Sequence, residues 1–268
     1  MDITISNLNI SEICESGQCF RMSLIDDSKS VYEVIAKDKY LTVSENAGTV
    51  TFNCSKAEYD NFWKAYFDID TDYGKIIKNI DKNDKYLCNA ATYGSGIRIL
   101  KQDLWEMIIS FIISQRNNIK RIRKCIKLLC EKYGEEKCEN GNKYYAFPTV
   151  EALYNADVED LRSLGLGYRD VYIKKTAEAV YKKEISLEEI YKMSYIDAKQ
   201  ELLKLCGVGE KVAECICLFA LHHLDAFPKD THINKVLDEQ YHDGFPFEKY
   251  AGYAGVLQQY IFFYDLKK

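Results

Sequence analysis

Leu205-Cys206-Gly207-Val208-Gly209-Glu210-Lys211-Val212-Ala213-Glu214-Cys215-Ile216-Cys217-Leu218-Phe219-Ala220 is the stretch that decides how the chain is read. Ser194, ahead of Leu202, Leu203 and Leu205, marks the start of one helix. The apolar run from Val212 marks a second helix, beginning at about Glu210. Between them Gly207 and Gly209 permit a tight turn and a close approach to the backbone. The first N–H groups of the second helix lack partners within it, and its positive dipole end favours an anion. Such a unit can hold a backbone phosphate without reading a nucleotide sequence. The same pattern also fits an ordinary corner between two packed helices.

Lys211 shifts the balance. The helix dipole disfavours a lysine in the first turn, which points to a use other than stability. An amine there can attack the anomeric carbon of a nucleotide and form a Schiff base, opening a route to β-elimination. The competing reading is a surface cation that simply attracts the phosphate. Downstream, Phe227-Pro228-Lys229-Asp230-Thr231-His232-Ile233 places Asp230 as the N-cap of another helix. A carboxylate fixed by capping is rigid, and near Lys211 it could stabilise cationic character on a sugar.

Outward from this core the chain divides by period. Tyr32 to Ala36, Tyr40 to Val43 and Thr49 to Phe52 alternate apolar and polar residues, with a turn at Glu45-Asn46-Ala47-Gly48. Residues 2–10 and 19–25 are candidates for further strands. From Ala57 the period becomes helical. Asp103-Leu104-Trp105-Glu106 is a capping box ahead of Ile108, Phe111 and Ile112. Ile119, Ile122, Ile126 and Leu129 form a second stripe that stops at Gly134, a natural C-cap. Thr149, Asp157, Ser186 and Ser194 each begin a further helix. The expected fold class is α+β: an antiparallel sheet domain over residues 1–95, then a helical domain over residues 96–268 built around the hairpin.

Composition narrows the function. At 268 residues and 47% apolar the chain can fill a real core, and no apolar run is long enough to span a bilayer. Residues 1–10 lack the basic start of a signal peptide. The ten cysteines include no C-x-x-C pair, and Cys125, Cys130 and Cys206 lie in apolar patterns. Reduced thiols in a cytoplasmic protein are expected. The net charge of −5 argues weakly against a polyanion partner. Yet Arg116, Lys120, Arg121, Arg123, Lys124, Lys127 and Lys132 are opposed only by Glu131, giving one cationic helix face.

With these residues in view, the sequence resembles the 8-oxoguanine DNA glycosylase/AP lyase family of the helix-hairpin-helix Gly/Pro-Asp superfamily. The hairpin from Leu205 to Ala213 and the Phe227-Pro228-Lys229-Asp230 segment carry the resemblance most strongly. Ser16-Gly17-Gln18-Cys19-Phe20-Arg21 resembles the family's N-terminal motif. Ser114-Gln115-Arg116-Asn117-Asn118-Ile119 is similar to its Asn-rich loop, and Leu164-Gly165-Leu166-Gly167-Tyr168-Arg169 to another loop. Gln258 to Leu266 resembles its C-terminal helix.

The resemblance implies roles. Lys211 would be the nucleophile and Asp230 its catalytic partner. The carbonyl of Gly17 would accept the N7 hydrogen that separates 8-oxoguanine from guanine. Gln258 would read the Watson–Crick edge of the extruded base, with Phe262 and Cys215 against its faces. Tyr168 would wedge into the duplex, and Arg121 and Arg169 would bond the orphaned base beside the loop residues Arg116, Asn117 and Asn118. His232 and the amides of Gly207, Gly209 and Val212 would hold phosphates. The partner implied is double-stranded DNA containing an oxidised purine, acted on by a monomer, in the nucleoid of a bacterium or the nucleus of a eukaryote.

Simpler readings stand beside these: Tyr168 is one of 21 tyrosines, Phe262 lies in an apolar helix, and Cys215 suits a buried small residue. Arg116 replaces the asparagine typical of the animal enzymes, and Cys206 a proline. The four-cysteine pattern of the endonuclease III group is missing, so no iron–sulfur cluster and no required cofactor are expected. A monovalent cation at the carbonyls of Leu203, Leu205 and Val208 is the one metal the family suggests. The alternatives are a glycosylase for a different lesion, or a non-catalytic damaged-DNA-binding protein of the same fold. Lys211 and Asp230 together argue against the second.

Overall fold

The structure is a computed structural model that describes residues 1–46 and 48–267. Near its N-terminus lies a five-stranded sheet: β1 (Asp2–Thr4), β2 (Met22–Asp26), β3 (Val31–Ala36), β4 (Lys39–Asn46) and β5 (Thr49–Phe52), in the order β1-β5-β4-β3-β2. β5 runs antiparallel to both β1 and β4, with Ile3 opposite Val50 and Val43 opposite Phe52. Strict alternation buries Tyr32, Val34 and Ala36 of β3 on one face. The α+β class is as expected. The turn expected at 45–48 includes Ala47, which lies outside the described residues. Of the strand expected at residues 2–10 only Asp2–Thr4 forms, because Asn9 caps a short helix, Ile10–Glu15, accepting the N–H of Glu12.

Two compact units interleave along the chain. One comprises Met1–Glu33, Leu41–Lys101 and His222–Lys268, and the other Val34–Tyr40 and Gln102–Leu221. The C-terminal segment folds with the N-terminal one: the helix Ala254–Lys267 packs on Lys85–Tyr93, with the ring of Tyr264 against Tyr86 and that of Phe263 against Tyr93.

Within the first unit a buried carboxylate carries an unusual load. Asp68 accepts hydrogen bonds from the hydroxyls of Thr71 and Tyr73 and pairs with Lys101 at 2.9 Å. His222 Nε2 lies 3.2 Å away, close enough to attract but not aligned as a hydrogen bond. Burial pushes the Asp68 carboxyl upward, but His222 and Lys101 outweigh it and hold the group well below its ordinary value of 3.8. A depressed folded-state pKa adds stability above the unfolded value and loses it as pH falls. We therefore expect Asp68→Asn to cost on the order of 3 kcal/mol at pH 7, and the gap to parent to narrow progressively as pH falls from about 4 toward the depressed folded-state value. Urea unfolding at a series of pH values measures this; a gap independent of pH would contradict it.

The second unit is helical. Its buried helix Leu104–Ser114 starts at Asp103, whose side chain accepts the Glu106 N–H. Glu106 itself accepts the N–H of Lys37 at 2.9 Å, in the β3–β4 turn. Ile122, Ile126 and Leu129 are buried along Ile119–Tyr133, while Lys120, Arg121, Lys124, Lys127 and Lys132 are exposed. Gly134 ends that helix, but in an extended conformation. Its lack of a side chain serves close approach: a Cβ there would meet the Ala146 carbonyl oxygen at 2.0 Å. The β6–β7 hairpin (Glu136–Glu139, Asn142–Tyr145), mostly exposed apart from Tyr144, had no alternating apolar pattern in sequence. Thr149, Asp157, Ser186 and Ser194 cap helices as expected, although the Tyr195–Leu202 helix stops before Leu205.

Candidate active site

The hairpin forms in the second unit. Helix Tyr195–Leu202 gives way to a turn at residues 203–209, and helix Glu210–Phe219 follows. Gly207 adopts φ +84°, and a Cβ there would meet the ring of Tyr172 at 2.5 Å, so glycine is demanded twice over. Gly209 is the N-cap, with an extended backbone and no side-chain cap. The place a Cβ would occupy at Gly209 has no neighbour within 4 Å. The first-turn N–H groups, Val212 among them, thus have no capping side chain to satisfy them, and the glycine leaves room for an anion.

Lys211 stands half-buried in that first turn, with its ammonium 5.3 Å from the Phe111 ring centroid. Phe111 is itself stacked on Phe219 at 5.6 Å, so the lysine rests on an apolar platform. No carboxylate of its own unit pairs with it among the described residues. Cys215, one turn along, is buried.

The Asn-rich loop is tied to the hairpin. Gln115 donates to the Gly207 carbonyl at 2.8 Å, and Asn118 caps the basic helix by accepting the Arg121 N–H. Asn117 donates to Ile113 O and accepts the Asn118 N–H. Arg116 is exposed and held at φ +46°, a left-handed conformation costly for an arginine. Arg121 donates to the Gly165 carbonyl at 3.0 Å. Tyr168 is 49% exposed, with its ring against Tyr172 and the Arg169 guanidinium. Arg169 is tied down within its own unit. It is only 4% exposed and donates to the carbonyls of Gln115, Arg116 and Leu166. Its guanidinium joins the two loops.

The remaining residues belong to the first unit. Asp230 caps Thr231–Gln240, accepting the Ile233 N–H at 2.9 Å. His232 Nδ1 lies 2.9 Å from the Asp265 carboxylate, which orients the ring and leaves the other nitrogen for a ligand. Asp265 was not expected from sequence: it lies 33 residues downstream with no local signal. Gly17 sits at φ +77°, and a Cβ there would meet Phe262 Cε1 at 3.1 Å. Phe262 is half-exposed and edge-on to His232. Gln258 and Gln259 separate cleanly. Gln259 is spent on the Ser16 carbonyl, whereas Gln258 donates to Pro228 O and keeps a buried Oε1 with no partner among the described residues. An unsatisfied buried acceptor is costly, and a ligand donor would relieve it.

Gly17 and Phe262 yield a further prediction. Gly17→Ala should strain the backbone by about 1–2 kcal/mol and push the Phe262 ring aside. Excision of a damaged base should fall at least roughly tenfold, while strand cleavage at a preformed abasic site changes little. Equal losses on both substrates would show that Gly17 serves only the fold.

Among the described residues no group of three or more His, Cys, Asp or Glu is placed to hold a metal ion. No helix there is long and apolar enough to cross a membrane. None of the ten cysteines is in a disulfide, and burial with nearby Glu214 pushes the Cys217 thiol up to about 12.

Comparison with known proteins agrees with this geometry. Residues 1–108 match the 8-oxoguanine DNA glycosylase N-terminal domain, and residues 109–243 match the HhH-GPD superfamily of base excision DNA repair proteins. An N-glycosylase/DNA lyase of Saccharomyces cerevisiae is 31% identical over 265 residues, spanning 89% of this chain and 70% of the yeast protein. A crystal structure of Clostridium acetobutylicum 8-oxoguanine glycosylase/lyase, bound to duplex DNA with cytosine opposite 8-oxoguanine, superposes with a TM-score of 0.92. It is 36% identical, covering 98% of this chain and 93% of that one. The chain therefore belongs to the HhH-GPD superfamily of base excision DNA repair proteins, in the branch that carries the 8-oxoguanine DNA glycosylase N-terminal domain.

Proposed function

We propose that this protein is a bifunctional DNA glycosylase/AP lyase that removes 8-oxoguanine from duplex DNA through a Schiff base on Lys211. The observation that carries the reading is Lys211 itself, half-buried on Phe111 in the first turn of an uncapped helix. The Lys211 nitrogen attacks C1′ of the damaged nucleotide, and the C1′–N9 bond breaks with its electron pair leaving on the base. The sugar ring then opens at C1′–O4′, with a proton passing to O4′, and an iminium links Lys211 to the DNA. Loss of a C2′ proton expels the 3′ phosphate. Asp230, rigid as a helix cap, stabilises cationic character on the sugar.

Base selection falls to the first unit. The Gly17 carbonyl accepts the N7 hydrogen of 8-oxoguanine and leaves guanine's N7 lone pair facing an oxygen lone pair. The buried Oε1 of Gln258 takes a donor from the base edge, and Phe262 lies against its face. Gly207, Gly209, Val212 and His232 take phosphates, and Tyr168 enters the stack as the base is extruded. Arg116 and Arg121 are exposed beside Asn117 and Asn118, available to the opposite base. These steps use only side chains and backbone of one chain, so a monomer without cofactor suffices, working wherever the cell keeps its DNA. A monovalent cation among the carbonyls of Leu203, Leu205 and Val208 would tighten the hairpin turn, where the Leu205 carbonyl also accepts the Val208 N–H.

The test is a duplex carrying one 8-oxoguanine opposite cytosine, scored for free base and for strand scission. Release of 8-oxoguanine with scission supports the reading. Tight binding with neither product would favour a damage-sensing protein instead.

A further inference from the structure

The helix that receives the phosphate begins with a carboxylate. Glu210 is the first residue of Glu210–Phe219, directly before Lys211, and Glu214 follows on the same face one turn later. A carboxylate at a helix N-terminus is favourable for the helix alone. It is unfavourable for binding DNA, because it competes with a phosphate for the same positive end and repels it.

The preceding helix answers this conflict. Tyr195 and Lys199, four residues apart on Tyr195–Leu202, face the two carboxylates. The Lys199 ammonium lies 2.6 Å from Glu210 and 2.8 Å from Glu214. The Tyr195 hydroxyl donates to Glu214 at 2.7 Å. The Lys199 side chain is 23% exposed, while that of Glu210 is 69% exposed. Lys199 therefore holds an outward carboxylate back against its own helix.

We propose that Lys199 is a charge mask for the phosphate-binding hairpin, cancelling Glu210 so that DNA can approach the first-turn N–H groups. Lys199 is on this view a positioning residue and makes no contact with DNA. Burial lowers its pKa, but the bonds to Glu210 and Glu214 more than compensate, so it stays charged at neutral pH. The inference rests on the DNA-repair reading above.

The test measures affinity for an undamaged duplex by fluorescence anisotropy at low and high salt, for the parent, Lys199→Met, Glu210→Gln and the double variant. Lys199→Met should weaken binding by roughly three- to tenfold at low salt, with the difference shrinking as salt rises. Glu210→Gln in the same chain should restore affinity to within about twofold of the parent, because a neutral side chain needs no mask. A merely structural role for Lys199 would not be rescued by Glu210→Gln. If Lys199→Met unfolds because Glu214 is left buried and charged, Lys199→Met/Glu214→Gln removes that charge while leaving Glu210 bare, and the same loss and rescue are expected.

Unchanged binding by Lys199→Met overturns the mask. So does a loss that Glu210→Gln fails to reverse, which would make Lys199 a direct DNA contact or a fold element. A parent protein that binds no duplex at all overturns the DNA-repair reading itself, an outcome separate from either of these.

Discussion

Borohydride reduction in the presence of a duplex with 8-oxoguanine opposite cytosine is expected to trap the parent protein on DNA, and to trap none of the Lys211→Gln variant. Glutamine offers no amine, so no iminium exists to reduce. The rate of base release should fall by on the order of a thousandfold or more, because removing a nucleophile forfeits the whole covalent route. Stability should barely change. Removing a lysine from the first turn relieves an unfavourable dipole contact of about 0.3–1 kcal/mol. Losing the ammonium from the Phe111 ring gives back about 0.5–1 kcal/mol. The two cancel to within the error of a melting experiment, so the loss can be assigned to chemistry. An adduct that persists in Lys211→Gln would move the nucleophile elsewhere.

Asp230 has two functions that substitution can separate. Its side chain accepts the Ile233 N–H as the cap of Thr231–Gln240. Asparagine caps about as well as aspartate, so Asp230→Asn should melt with the parent. It carries no charge to stabilise a cationic sugar, and base excision should fall by about 10²–10⁴-fold. Asp230→Ala should lose the same activity and also about 1 kcal/mol of stability with the cap. Calorimetry beside single-turnover excision distinguishes these outcomes. If Asp230→Asn retained full activity, the carboxylate would be a cap and nothing more.

Much of this protein was legible in its sequence because the deciding signals are local. A cap such as Asp103, Thr149 or Asp230 acts on an N–H two or three residues away. The alternating burial of β3 follows from a period of two, and the exposed cationic face of Ile119–Tyr133 from a period of 3.6. The turn at Gly207 and the helix start at Glu210 lie within a few residues of each other. The motifs around Gly17, Gln115, Tyr168 and Gln258 marked out a candidate site only through resemblance to a family.

What sequence could not show depends on residues far apart in the chain. His232 is oriented by Asp265, Asp68 is held by Lys101 and His222, and Gln259 is spent on Ser16. Gly134 reads as a C-cap, and only folding shows that the Ala146 carbonyl excludes a side chain there. That Arg169 bonds the carbonyls of another loop could not be read from its own loop. The interleaving of the two units is of the same kind, since the helix Ala254–Lys267 finds its apolar partners near residue 90. By itself the sequence determined most of the helices, the strands β3 to β5 and the turn of the hairpin, through short-range hydrogen bonding and periodicity. Only the tertiary structure decided which polar groups are spent inside the protein and which stay free for a ligand, because a buried donor or acceptor is satisfied by whatever folding brings beside it.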